Sequence, residues 1–140
     1  MLRAASMFEN KSNQDALICD FLKLRKIAVV GSFRNEMKVT YAIIRHLLAA
    51  QKYEIFPVNP AKKEVEGLKV YAGILDLPGD IGFVNIVTPP EVTLKVLEFC
   101  IKKSITKAWL QPGASDEKVV AFCMKNGITF INDTCIMLHS

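Results

Sequence analysis

The sequence has 140 residues, 51% hydrophobic and 23% charged, with a formal net charge of +4 when histidine is neutral. A chain of that size and composition forms a globular domain whose core needs neither disulfides nor a structural metal, and it is not a disordered chain. The mild positive balance suits an anionic small ligand and is too sparse for a nucleic-acid-binding surface. The four cysteines, Cys19, Cys100, Cys123 and Cys135, include no C-x-x-C pair, so no metal site is expected. They read as reduced thiols of a cytoplasmic protein. The sequence has no 18-residue apolar run and no signal-peptide pattern, so neither a membrane span nor export is expected.

In chain order, Met1 to Ser12 is mixed in character, and Asn13 is placed to cap a short helix running to about Leu24. Ala16, Leu17, Cys19 and Phe21 are its candidate buried positions. Lys26 to Gly31 (K-I-A-V-V-G) is a continuous apolar run ended by glycine, the pattern of a strand buried on both faces. Lys38 to Gln51 has apolar residues at helical spacing: Val39, Ile43, Ile44, Leu47 and Leu48. Glu54 to Asn59 predicts a second strand, with an irregularity at Pro57, and Lys69 to Tyr71 a short third. Gly82 to Thr88 predicts a fourth. Pro90 to Lys103 predicts a helix with Val92, Val96, Leu97, Cys100 and Ile101 on its inner face. Lys107 to Gln111 is a strand, Asp116 to Asn126 a helix closed by Gly127, and Thr129 to Asn132 the last strand.

Strands alternating with helices imply an α/β domain with right-handed crossovers and a mostly parallel sheet of about five strands. Such sheets bind ligands beyond the carboxyl ends of their strands, where the strand order reverses. Five segments lie there. In Gly31 to Tyr41, the glycine allows a tight turn and a close approach to phosphate, Ser32 adds a hydroxyl, and Arg34 and Lys38 add charge near a helix N-terminus. An ordinary strand-to-helix loop with solvated charges is the alternative. The loop lacks G-x-G-x-x-G, because Phe33 and Glu36 stand where the later glycines would be. Asn59-Pro60 replaces the acid that would hold an adenine ribose, so NAD is disfavoured, and no G-K-[ST] occurs.

Pro57 to Lys63 is stiff and ends in Lys62 and Lys63, which either face an anion or are simply solvated. Thr88 and Glu91 have capping-box spacing, and Pro89-Pro90 offers a flat apolar wall. Gln111 and Gly113 follow a buried strand, where the amide can meet a ligand and the glycine lets backbone approach. Ser115 reads as the cap of the next helix. Cys135, in N-D-T-C, has no histidine partner suggested by the sequence and reads as a packed thiol rather than a nucleophile.

Together these motifs are recognisable. V-V-G-S, P-V-N-P with G-x-x-V-Y at Gly67 to Tyr71, V-T-P-P-E-V, W-L-Q-P-G-A and N-D-T-C-I resemble the small stand-alone CoA-binding protein family. Its members are three-layer Rossmann-like domains similar to the CoA-binding domain of succinyl-CoA synthetase α subunits. The resemblance divides the chain into an N-terminal extension with a short helix, residues 1–25, and a CoA-binding Rossmann-like domain, residues 26–140. It implies CoA or an acyl-CoA as ligand, with no metal. It places Gly31, Ser32, Phe33, Arg34 and Lys38 on the CoA phosphates. Asn59, Pro60 and Lys63 (with Lys62 beside it) approach the nucleotide. Val87, Thr88, Pro89 and Pro90 lie against the adenosine, and Gln111, Pro112 and Gly113 match the tryptophan-strand motif. The chain departs from the family at Gly82, where an aspartate is common, and at Phe33, Glu36 and Met37, where small residues or proline are common. Ligase activity does not carry over, because the relatives' phosphorylated histidine belongs to a separate domain. Binding without catalysis is therefore the leading expectation. A nucleotide-dependent or thiol enzyme and a CoA-sensing regulatory or scaffold subunit are the alternatives, and a homodimer through exposed helix faces is a further expectation.

Overall fold

A computed structural model describes residues 14–32 and 38–140. The main sheet has strands β1 (Lys26–Val30), β2 (Glu54–Val58), β5 (Phe83–Ile86), β6 (Lys107–Leu110) and β7 (Thr129–Asn132). A separate hairpin is formed by β3 (Glu64–Val65) and β4 (Leu68–Lys69). The helices are α1 (residues 14–22), α2 (Val39–Ala49), α3 (Pro90–Lys102) and α4 (Glu117–Lys125).

All main-sheet pairings are parallel, in the order β2-β1-β5-β6-β7. The chain therefore winds outward from β1 to β2, crosses back, and winds the other way through β5, β6 and β7. The reversal lies between β1 and β5. This is the doubly wound, Rossmann-like α/β arrangement that the strand–helix alternation predicts.

Alternate residues of each strand supply two cores. Ala28, Val30, Val84, Ile86 and Leu110 pack with Val96, Leu97 and Cys100 of α3 and Val119 and Cys123 of α4. Ile27, Val29, Phe83, Trp109 and Ile131 pack with Ile18 and Phe21 of α1 and Ile43, Ile44 and Leu47 of α2. An aromatic cluster anchors α1, with Phe21 centred 5.0 Å from Phe83 and 6.4 Å from Trp109. Burial of each such ring contributes roughly 1.5–3 kcal/mol.

Several sequence expectations are corrected. In α1 the buried side chains are Ile18 and Phe21, whereas Ala16 and Cys19 are exposed. Pro57 causes no break. Its carbonyl accepts from Tyr71 N–H at 2.8 Å on the outer edge, so its missing donor also points outward and β2 loses no bond to β1. The expected third strand is reduced to a parallel bridge between Tyr71 and Val58 beside the small hairpin. The helix α3 buries Thr93, Val96, Leu97 and Cys100 and leaves Val92 and Ile101 exposed.

No capping box forms at Thr88 and Glu91. Pro89 is the N-cap and donates nothing, and Thr93 reaches back instead, its hydroxyl 2.9 Å from that of Thr88. Asp116 rather than Ser115 caps α4, accepting from Val119 N–H at 2.9 Å. Gly127 ends α4 with φ of +70°, the left-handed C′ conformation its sequence position predicts.

Candidate functional site

A cleft of about 750 Å³ opens at the carboxyl ends of β1 and β2, on the α3 side of the sheet and beside the point where the strand order reverses. Two smaller hollows, of about 470 and 420 Å³, lie along β7 and α4 at the opposite edge of the sheet. Of the predicted site residues, Gly31, Ser32, Lys38, Asn59, Pro60, Thr88 and Pro89 line the cleft. Lys62 lines it as well, and Lys63 does not. Val87, Pro90, Gln111 and Gly113 stand outside the lining, and Phe33, Arg34, Glu36 and Asn13 lie outside the described residues.

The cleft has two characters. At its inner end are the loop after β1 and the loop after β2, with Lys38 on one and Lys62 on the other. Neither lysine has a carboxylate partner among the described residues, and no Asp or Glu is among the lining residues. The N-terminus of the eleven-residue helix α2 also faces this end, adding its partial positive charge. The outer wall is apolar: Ile74 and Ala72 on one side, Pro89, Val92, Val96 and Phe99 on the other. Val92 and Phe99 keep 41% and 42% of their surface accessible, because they face this cleft and not the sheet. No local motif marks Phe99, Ile74 or Ala72. Helical spacing assigned Val92 to the core, since periodicity cannot separate a core-facing side chain from one that walls a cleft.

The loop after β1 is shaped by packing as much as by any ligand. A Cβ on Gly31 would sit 2.5 Å from Thr40 Oγ1 and 3.2 Å from Val87 Cβ. Thr40, in the first turn of α2, is 2% exposed. The glycine is what lets α2 start this close to β1. Asn59 joins the two loops, its Nδ2 donating to the Gly31 carbonyl at 2.7 Å and its Oδ1 accepting from Ala61 N–H at 2.8 Å. Gly82, at the other notable sequence position, is also a packing glycine. A Cβ there would meet Leu24 Cβ at 2.7 Å and the Lys26 carbonyl at 3.1 Å.

Gln111 is buried, and its amide is spent inside the protein. Oε1 accepts from Ile136 N–H at 2.9 Å, and Nε2 donates to Cys135 Sγ at 3.2 Å. It holds the turn after β7, with Trp109 Nε1 donating to the Thr134 carbonyl at 2.9 Å. His139 is closer to Cys135 in sequence than the motif reading allowed, but its Nε2 pairs with the Thr134 hydroxyl at 2.9 Å. Cys100 and Cys123 are buried free thiols. Burial pushes the Cys100 thiol up to about 12, with Cys123 beside it adding to the shift, and pushes Cys123 up to about 11. Neither is a nucleophile at neutral pH. Among the described residues no group of three metal-ligating side chains is found, and no helix is long and apolar enough to cross a membrane.

Residues 25–140 match a protein family described as "CoA binding domain". A conserved hypothetical protein from Pyrococcus furiosus has a similar structure, with a TM-score of 0.80 and 38% identity, covering 83% of this chain and 99% of that one. An uncharacterised Bacillus subtilis protein is 30% identical over 80% of this chain and 82% of its own length. ADP-forming acetate–CoA ligases are also similar: the Methanocaldococcus jannaschii enzyme at 39% identity over 60% of this chain, and the α subunit of a Pyrococcus furiosus enzyme at 27% over 83%. The chain spans 12% and 28% of the length of those two ligases. With the fold, the switch-point cleft and a match across nearly the whole described chain in agreement, the protein belongs to the CoA-binding domain family.

Proposed function

We propose that the cleft binds coenzyme A, and that the protein binds it without catalysing a reaction of its own. The observation that carries this reading is the pairing of a cationic end, where Lys38 and Lys62 line the cleft, with an apolar wall in one cleft. CoA carries a pyrophosphate and a 3′-phosphate next to an adenine ring. The phosphates meet the lysines, the Gly31-Ser32 backbone and the α2 N-terminus. The adenine lies against Pro89, Val92 and Phe99.

Calorimetric titration with CoA, dephospho-CoA and acetyl-CoA tests the reading. CoA should bind more tightly than dephospho-CoA by about five- to tenfold, the contribution of one charge-assisted contact. Acetyl-CoA should match CoA, because the acetyl group is remote from the nucleotide. Absence of heat with all three at tens of micromolar protein, where micromolar affinity would register, refutes it.

A further inference from the structure

Asn59 ties together three segments that wall the cleft. Its Nδ2 donates to the carbonyl of Gly31 in the loop after β1, and its Oδ1 accepts from Ala61 N–H, one residue before Lys62. Its backbone N–H donates to the Tyr71 carbonyl at 2.9 Å, where the third wall begins. The amide orientation follows from the partners, since a carbonyl can only accept and a backbone N–H can only donate. Both polar atoms of the side chain are therefore engaged within the protein.

We infer that Asn59 is a positioning residue for the anion-binding end of the cleft: its amide sets where the turn before Lys62 stands against Gly31 at the end of β1. This rests on the CoA reading of the cleft and assigns Asn59 a role that acts through Lys62 and the Gly31 carbonyl, not through contact with the ligand. Lys62 is exposed and follows the Pro60-Ala61 turn, which the Asn59–Ala61 bond closes on one side, while the Lys63 carbonyl, accepting from Val70 N–H at 2.9 Å, holds the other. The Gly31 bond then fixes where the turn stands relative to β1. Without it, the segment carrying Lys62 would have to be placed at the moment of binding, which weakens affinity even though no ligand contact is lost.

The test is a double-mutant cycle of Asn59→Ala and Lys62→Ala, read as CoA affinity by calorimetry. Asn59→Ala is expected to weaken binding about tenfold and Lys62→Ala about fivefold, the scale of one or two hydrogen bonds. The double variant should lose about tenfold, because an unplaced Lys62 has little left to contribute. Backbone amide resonances of residues 31 and 62 in ligand-free Asn59→Ala should also move, which a residue acting only by ligand contact would not cause. Additive losses, about fiftyfold in the double variant, overturn the inference, as does wild-type affinity in Asn59→Ala. If Asn59→Ala fails to fold, the neutral Asn59→Ser takes its place in the same cycle, with the same deciding outcomes. Its hydroxyl keeps an acceptor for Ala61 N–H and is too short to reach the Gly31 carbonyl. Absence of CoA binding by the wild-type protein removes the reading of the cleft itself, and this inference with it.

Discussion

Gly31→Ala tests whether the glycine after β1 is there for packing. The new Cβ would lie 2.5 Å from Thr40 Oγ1, 3.1 Å from Thr40 Cγ2 and 3.2 Å from Val87 Cβ. The first contact is about an ångström inside ordinary van der Waals separation. Thr40 is 2% exposed and belongs to the first turn of α2, whose Ile43, Ile44 and Leu47 are fully buried against the sheet. The helix start therefore cannot move without disturbing that core. Overpacking of this kind costs about 1–3 kcal/mol, and a value near 2 kcal/mol is expected here. For a domain of this length that lowers Tm by roughly 6–8 °C. Urea denaturation of Gly31→Ala, Thr40→Ala and the double variant measures it. Thr40→Ala alone should cost about 1 kcal/mol from lost packing. In that background the Gly31→Ala cost should fall to about 0.5 kcal/mol, because only the Val87 contact remains. An equal Gly31→Ala cost with and without the Thr40 side chain would refute the packing argument, and so would no cost at all.

Asn85 is fully buried on β5 between Val29 and Trp109, and neither of its amide atoms has a partner among the described residues. Asn85→Leu, of nearly the same shape, should stabilise the protein by about 1–3 kcal/mol in the same urea assay, and a loss of stability would mean that the amide is satisfied. The raised thiols of Cys100 and Cys123 make stability fall at alkaline pH. The unfolded thiols ionise near 8.5–9 while the folded ones keep their protons until about 12 and 11, so the unfolded state binds fewer protons above pH 9. Each contributes a slope of up to about 1.4 kcal/mol per pH unit in that window, and replacing both with alanine should flatten the alkaline limb of a Tm-against-pH curve. Lys38→Ala should weaken CoA binding several-fold at low salt and by progressively less as salt rises, because the lysine is exposed and its field is screened. An effect of the same size at 1 M salt would argue against a direct charge role.

Much of the fold is legible because a strand buried on both faces leaves a continuous apolar run. K-I-A-V-V and K-A-W-L are such runs, and both are inner strands of the sheet. Gly127 is legible because only the left-handed conformation explains a glycine at that point of a helix. The cap of α4 was misplaced by one residue, since Ser115 and Asp116 are both good cap types and only the backbone decides which hydroxyl or carboxylate reaches Val119 N–H. The buried side of α1 is not legible because its few turns mix apolar and polar residues without one clear stripe: Ala16, Leu17, Ile18, Cys19 and Phe21 spread round the helix. At the site, the loops after β1 and β2 follow from the rule about carboxyl ends. The opposing wall does not. Ala72, Gly73 and Ile74 come from an irregular segment after the small hairpin, and Phe99 sits far along α3, so neither is marked by a local motif.

Gly31 and Gln111 show why a motif residue near a ligand edge need not touch the ligand. Gly31 is the residue a phosphate loop would require, yet Thr40 alone accounts for the missing side chain. Gln111 is the amide a ligand would favour, yet it is consumed by the Cys135–Ile136 turn. The features that packing does not explain are different ones. Two lysines line one cleft with no acid to answer them among the described residues, and two large apolar side chains, Val92 and Phe99, stay accessible beside a core that had room on the other face of the helix for Leu97 and Cys100. A domain selected for stability alone gains nothing from either, because the lysines repel each other and the apolar surface remains in contact with water. An anionic ligand carrying an apolar ring relieves both at once, and the CoA proposal for this cleft rests on that complementarity more than on the glycine after β1.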